Sequence, residues 1–300
     1  MLILKRLIPS LLLLNRSLQC LSINTERCMV SIENIELAKE LGLESINNIY
    51  NKEENYSLLS KNNLILYRNK EDNALELKWL ENDSKNNEKP YRIDFISYLN
   101  KRQETAKQEL ISKAIGSKGD FNSNIVIDLT AGIGRDSIIM AAAGHNVIMI
   151  ERNPILFSLL NDALNRLKLE NKYTIISNRL KLLNIDSSNF LKINTNDDMI
   201  NDIQQQISVY LDPMYAENSV GKKAAVKKET QMLHRILGTE EGNDEINNNN
   251  LWNSAIQLAN NRIVVKRAIN AKFLSNLKPQ HQIIGKNQRF DVYLKKLFLS

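Results

Sequence analysis

From residue 124 onward the chain alternates short apolar runs with longer amphipathic stretches. Apolar runs at Asn124–Leu129, Asn146–Ile150, Tyr173–Ser177, Ile207–Leu211 and Arg262–Lys266 have the length of buried strands. Between them, Arg135–Ala143, Pro154–Leu169, Ala224–Leu237 and Leu251–Ala259 carry apolar residues at helical spacing. Such alternation predicts an α/β fold with a doubly wound, mostly parallel sheet. Two closing runs, His281–Ile284 and Arg289–Leu294, are separated by a few residues that include Gly285 and Asn287. They predict an antiparallel pair at the sheet's end.

Upstream the pattern is weaker. An amphipathic stretch at Asn34–Leu41 and a strand pair at Asn63–Arg68 and Leu75–Leu80, joined by the turn-like NKEDN, predict a small α+β unit over residues 29–90. The polar run ENDSKNNEKP (81–90) reads as a linker, which puts the main domain at 91–300. YRIDFI follows as an extended stretch, and Lys101–Ile115 reads as a helix ended by Gly116 and Gly119. The asparagine-rich stretches 192–206 and 238–250 read as surface loops. Residues 1–28 hold no acid before Glu26, and their apolar block Leu11–Leu14 is too short to span a bilayer. They read as a non-catalytic extension: an organellar transit peptide, a poor secretory signal, or the product of an early start codon ahead of Met29.

Composition narrows the chemistry. With 43% hydrophobic and 25% charged residues the chain folds as a globular protein, and a formal charge of +6 suits a polyanionic partner without proving one. Cys20 and Cys28 both lie near the start, and His145, His234 and His281 are scattered. No metal site is therefore expected.

The strongest local signal is IVIDLTAGIGRDS. Asp128 ends a strand, Gly132 and Gly134 supply a turn in which a Cβ would obstruct a ligand, and a helix opens at Arg135. Ser137 stands where the third glycine of the dinucleotide fingerprint would be, which disfavours a pyrophosphate at the helix N-terminus. Glu151 ends the next strand, where a carboxylate accepts from ribose hydroxyls. Nicotinamide and methyl-donor cofactors share that feature, as a plain tight turn shares the glycines. Asp186, Ser187 and Ser188 form a candidate adenine-side loop.

The segment VYLDPMY is more specific. A buried strand runs into Asp212-Pro213-Met214-Tyr215, similar to the acid–proline–x–aromatic loop of amino-group methyltransferases. The proline stiffens the loop, the acid accepts from an exocyclic amine, and the aromatic stacks on a base. Catalytic roles are therefore expected at Asp212, Pro213 and Tyr215. A parallel sheet closed by an antiparallel hairpin is likewise the outline of class I methyltransferases.

DLTAGIGRDS, IERNP, DPMY with KKAAVKKE, IVVKR and QRFDVYL together resemble, in order, the ribosomal RNA small subunit methyltransferase J family over about Tyr91–Leu294. The resemblance implies S-adenosylmethionine as cofactor and, as acceptor, N2 of a guanosine in small-subunit ribosomal RNA, either as RNA or in the assembled small subunit. It further implies cofactor contacts at Arg135, Asp136, Glu151, Arg152, Ser187, Ser188 and Asp212, and action in the cytoplasm, or in an organelle if residues 1–28 are a transit peptide. IVVKRAINAKFL departs from the family's pattern by lacking a proline-rich continuation. The run Lys222, Lys223, Lys227 and Lys228 reads either as a solvated helix face or, with Lys266 and Arg267, as a positive rim for RNA phosphates. A methyltransferase acting on another amine, adenine N6 or a protein glutamine, fits the same loop, and a nicotinamide-dependent oxidoreductase and a non-catalytic RNA-binding protein are the rival readings of a different class.

Overall fold

The computed structural model describes residues 30–32, 35–42, 64–79, 90–116, 124–194, 206–213, 244–274 and 277–295. The main sheet is built from β4 (Asn124–Asp128), β5 (Asn146–Ile150), β6 (Leu180–Leu183), β7 (Gln206–Leu211), β8 (Arg262–Ala268), β9 (His281–Ile284) and β10 (Gln288–Leu294). Its order is β6-β5-β4-β7-β8-β10-β9. β4 to β8 pair in parallel, while β10 runs antiparallel to both β8 and β9. The expected doubly wound sheet with an antiparallel end is thus the observed one.

The helices start where the local chemistry permits. α4 (Arg135–Ala143) begins after Gly134, which is left-handed at φ 73°. α5 (Pro154–Leu169) begins with proline, whose missing N–H costs nothing in a first turn, and Asn153 Oδ1 accepts from the amides of Ile155 and Leu156. α2 (Phe95–Arg102) is capped by Asp94, which accepts from the Ser97 amide and hydroxyl. α3 (Leu110–Ile115) and α6 (Thr174–Ser177) are shorter. α7 (Ser187–Asn194) and α8 (Asp244–Leu258) are the remaining helices of this unit among the described residues. One buried cluster joins α2 to α6 on one face of the sheet, and a second packs Phe190 of α7 with Trp252, Ala255 and Leu258 of α8 on the other.

Five expectations need correction. The stretch YRIDFI is non-helical only as far as Asp94, which caps α2 from Phe95 onward. Tyr173–Ser177 is not a strand: Tyr173 and Ile176 are buried while Ile175 is exposed, a helical spacing, and the edge strand forms at Leu180–Leu183. Tertiary burial overrides the β-branched run. Asparagine-rich residues 244–250 are the first turns of α8, because Trp252, Ala255 and Leu258 further along anchor that helix. Residues 187–194 likewise form α7, so the expected loop 192–206 begins inside a helix. Lys101–Ile115 is broken into α2, a 3-10 turn at Ala106–Gln108 and α3, with the Ser112 hydroxyl bonding the Ala106 carbonyl across the break. The expected helix Ala224–Leu237 lies outside the described residues.

A small sheet is formed by β1 (Val30–Ile32), β2 (Leu64–Arg68) and β3 (Leu75–Trp79), with α1 (Ile35–Glu40) beside it. Its Leu66, Leu75 and Leu77 belong to the same cluster as Leu156 and Leu160 of α5. Arg68 fastens the contact by an ion pair with the buried Asp162, which also holds Arg166 at 2.8 Å.

Candidate active site

The strand order reverses at β4, between β5 and β7, and open parallel sheets bind ligands at such points beyond the strands' C-terminal ends. Register brings the acids together there. Asp128 ends β4 opposite Tyr210 and Met149, Glu151 follows β5, and Asp212 follows β7 beside Lys266 of β8.

Each acid has a distinct job in this frame. Asp128 accepts from the Thr130 amide at 3.0 Å and from the Ser137 hydroxyl at 2.5 Å, so Ser137 ties the helix start to the strand end. Glu151 accepts from the Gly132 amide through one oxygen at 2.9 Å and from the Asn153 amide through the other at 2.7 Å. Burial raises both carboxyls to about 7, against the pull of those donors. Gly132 has φ +53° with only the Thr130 carbonyl near, at 3.8 Å, from where a Cβ would sit, whereas a Cβ on Gly134 would meet Leu160 and Phe95 at 2.7 and 2.8 Å. Gly132 opens the turn; Gly134 permits close packing.

Asp136 and Asp212 face one ammonium. Lys266 Nζ lies 2.7 Å from Asp136 Oδ2 and 2.9 Å from Asp212 Oδ2, and the Tyr210 hydroxyl donates to Asp136 at 2.6 Å. The Asp212 amide donates to the Thr130 hydroxyl oxygen at 2.6 Å, fixing the start of the Asp-Pro loop to the glycine turn. Burial works against the Lys266 charge, but Asp136 and Asp212 outweigh it and hold the pKa above lysine's ordinary value. Burial raises the Asp212 carboxyl, with Lys266 opposing and Asp136 adding to the rise.

The other cofactor-site candidates fall in two groups, one after β5 and β6 and one at the start of α4. Asn184 Nδ2 bonds the Glu151 carbonyl at 2.9 Å, and Arg152 lies 3.8 Å from Asp186. Asp186 caps α7 by accepting from the amide and hydroxyl of Ser188, next to Ser187. Arg135 stacks at 5.9 Å from the Tyr98 ring.

The expected phosphate rim is not formed by β8. Lys266 is spent on two carboxylates, and Arg267 is only 6% exposed, with Nη2 donating to the Lys272 carbonyl. Alternation along a strand sends one of two neighbours inward, and here both are engaged by the protein itself. Pro213 is buried at the end of β7. Tyr215, Lys222, Lys223, Lys227 and Lys228 lie outside the described residues.

Sequence reasoning missed the partners of these acids: Thr130, Ser137 and Tyr210. It also missed a cleft of about 240 Å³ beside the glycine turn, lined by residues that include Tyr91, Arg92, Asp94, Tyr98, Lys101 and Arg135. The aromatic and basic spacing of Tyr91 to Arg102 was the available signal. Among the described residues, no group of three or more His, Cys, Asp or Glu is arranged to hold a metal ion, and no helix is long and apolar enough to cross a membrane.

Four carboxylates against one lysine make an acceptor-rich crevice, which fits the ammonium, ribose hydroxyls and sulfonium of S-adenosylmethionine. A family model described as "Putative SAM-dependent methyltransferase" matches residues 51–295. The fold is similar to that of a SAM-dependent methyltransferase from Neisseria gonorrhoeae, at TM-score 0.59 and 24% identity over 89% of this chain and 95% of that one. The protein is a class I methyltransferase that uses S-adenosylmethionine. Ribosomal RNA small subunit methyltransferase J of Francisella tularensis (strain SCHU S4 / Schu 4) is 38% identical over 221 residues, covering 72% of this chain and 86% of that protein. Its counterpart in Idiomarina loihiensis is 36% identical over 228 residues, covering 75% and 81%. The chain belongs to the ribosomal RNA small subunit methyltransferase J family.

Proposed function

We propose that this protein transfers a methyl group from S-adenosylmethionine to the exocyclic N2 of a guanosine in small-subunit ribosomal RNA, acting in the cytoplasm. The observation that carries the reading is the half-buried Asp212 carboxylate, held at the mouth of the sheet's switch point with one oxygen on Lys266. The family supplies the substrate class.

Glu151 takes the ribose hydroxyls, Arg135, Asp136 and Arg152 flank the cofactor, and Asp186, Ser187 and Ser188 border its adenine side. When bound, S-adenosylmethionine supplies a methyl group already activated on a sulfonium, so positioning and electrostatics suffice for catalysis. Asp212 accepts a hydrogen bond from the guanine amine and aims it, Pro213 stiffens the loop, and Tyr215 stacks on the base. The proton released on transfer leaves through Asp212 or to water. RNA phosphates meet Lys222, Lys223, Lys227 and Lys228, and a flanking nucleotide occupies the cleft at Tyr98.

Mass-spectrometric mapping of nucleosides in ribosomal RNA from a deletion strain tests the reading. A small-subunit N2-methylguanosine should disappear and return with the wild-type chain, but not with Asp212→Ala. An unchanged modification map would overturn it.

A further inference from the structure

We infer that Lys266 is a positioning residue for methyl transfer: it clamps one oxygen of Asp212, keeps that carboxylate ionised, and leaves the other oxygen to meet the target amine. The inference rests on reading Asp212 as the group that meets that amine.

The geometry begins with strand register. Leu211 of β7 pairs with Val265 of β8, so the residues one step further, Asp212 and Lys266, stand side by side at the mouth of the crevice. Lys266 Nζ then reaches Asp212 Oδ2 at 2.9 Å and Asp136 Oδ2 at 2.7 Å. Asp136 is itself fixed by the Tyr210 hydroxyl at 2.6 Å, and the Asp212 backbone by the Thr130 hydroxyl at 2.6 Å. One end of the lysine bridge is therefore anchored to β7 and the other to the glycine turn, and the bridge sets which Asp212 oxygen is engaged. No hydrogen bond to Asp212 Oδ1 occurs among the described residues.

Ionisation follows from the same contacts. The charged and titratable groups facing Asp212 are Asp128 from β4, Asp136 from α4, Tyr210 from β7, and Lys266 and Arg267 from β8. Burial and the neighbouring Asp136 carboxylate push the Asp212 proton on; Lys266, in direct contact, and Arg267 push it off. The protonation state matters chemically. An ionised carboxylate accepts from the amine N–H and leaves the nitrogen lone pair free for attack. A protonated one donates toward that lone pair and blocks it.

The test compares Lys266→Gln, which keeps a hydrogen-bond donor but no charge, with Lys266→Arg, which keeps both. In Lys266→Gln, kcat should fall by about tenfold or more. The acid limb of the pH–kcat profile should move up by about one pH unit. Carboxyl 13C titration of the cofactor-free protein, with the Asp212 signal assigned by its loss in Asp212→Asn, should move the same way. Asp212 and Asp136 titrate as a pair, so the apparent value is the quantity compared. Lys266→Arg should restore both the limb and the titration.

Loss of activity in Lys266→Gln with limb and titration unmoved overturns the inference in favour of a purely structural lysine. Loss of RNA binding with an unmoved limb overturns it in favour of a phosphate contact. Should Lys266→Gln not fold, an upward titration shift in Lys266→Arg, which retains the charge, overturns it, and an unmoved one upholds it. Asp212→Asn that stays active sinks the reading of Asp212. Inactive Asp212→Asn with an unshifted Lys266→Gln sinks only the role given to Lys266.

Discussion

The Gly132 amide donates to the Glu151 carboxylate at 2.9 Å, so the glycine turn after one strand is held by the acid that ends its neighbour. The second Glu151 oxygen accepts from Asn153, which caps the next helix. One side chain thus sets the spacing between turn, strand end and helix start. A glutamine there must turn its NH2 toward one of two backbone N–H groups, leaving donors facing each other. Glu151→Gln should therefore weaken S-adenosylmethionine binding by about tenfold or more by calorimetry. Wild-type affinity in this variant would detach the turn from the acid.

The same burial makes stability depend on pH. Asp128 and Glu151 each titrate near about 7 in the folded protein, raised from 3.8 and 4.5 by desolvation. Between those values the folded chain holds protons that the unfolded chain has released, so stability falls as pH rises. The contribution is fully present below about pH 4 and lost as pH passes about 7. The unfolding free energy of the cofactor-free protein from urea titration should accordingly drop between pH 5.5 and pH 8, by about a few kcal/mol at most, with the urea midpoint falling alongside it, and less steeply in Glu151→Gln. Ribose hydroxyls favour the ionised acid, so cofactor affinity should strengthen over the same interval in the wild type alone. A flat midpoint would contradict the burial of these acids.

Much of this site was legible from order along the chain. Asp128 ends a strand and Glu151 and Asp212 each directly follow one, and such an acid at a switch point is visible as an apolar run closed by one carboxylate. Lys266 was visible as a residue but not as a partner. Its contacts with Asp136 and Asp212 cross 130 and 54 positions and depend on the pairing of β7 with β8. Ser137 stood out as a departure from the dinucleotide pattern, yet its bond to Asp128 belongs to the folded turn. The edge strand was misassigned because β-branched Thr174, Ile175 and Ile176 read as extended, while packing rewards burying only Ile176 of the three-residue run.

The two glycines of the turn should separate by stability. Gly134→Ala places a Cβ 2.7 Å from Leu160 Cδ2 and 2.8 Å from Phe95 Cζ at φ +73°, so it combines backbone strain with overpacking, roughly 2–4 kcal/mol in all. Gly132→Ala meets nothing closer than 3.8 Å and carries only the left-handed penalty of about 1–2 kcal/mol. Thermal melts should rank Gly134→Ala well below Gly132→Ala, with the latter closer to wild type. Equal losses would show that packing of Leu160 and Phe95 against the turn is slack.

The cleft at Tyr98 offers the most direct separation of RNA from cofactor. The Tyr98 ring is flanked by Arg102 at 5.7 Å and Arg135 at 5.9 Å, and Lys101 lines the same opening. At about 240 Å³ the cleft is smaller than the roughly 300–1,000 Å³ of sites that enclose whole small-molecule ligands, and suits a single stacked base. Stacking on an aromatic contributes about 1–3 kcal/mol per base, so Tyr98→Ala should raise the RNA KM about ten- to hundredfold. Lys101→Glu should weaken RNA binding and reduce its salt dependence by about one phosphate contact. S-adenosylmethionine affinity should be unchanged in both. A lost cofactor affinity with intact RNA binding would assign the cleft to the methyl donor instead.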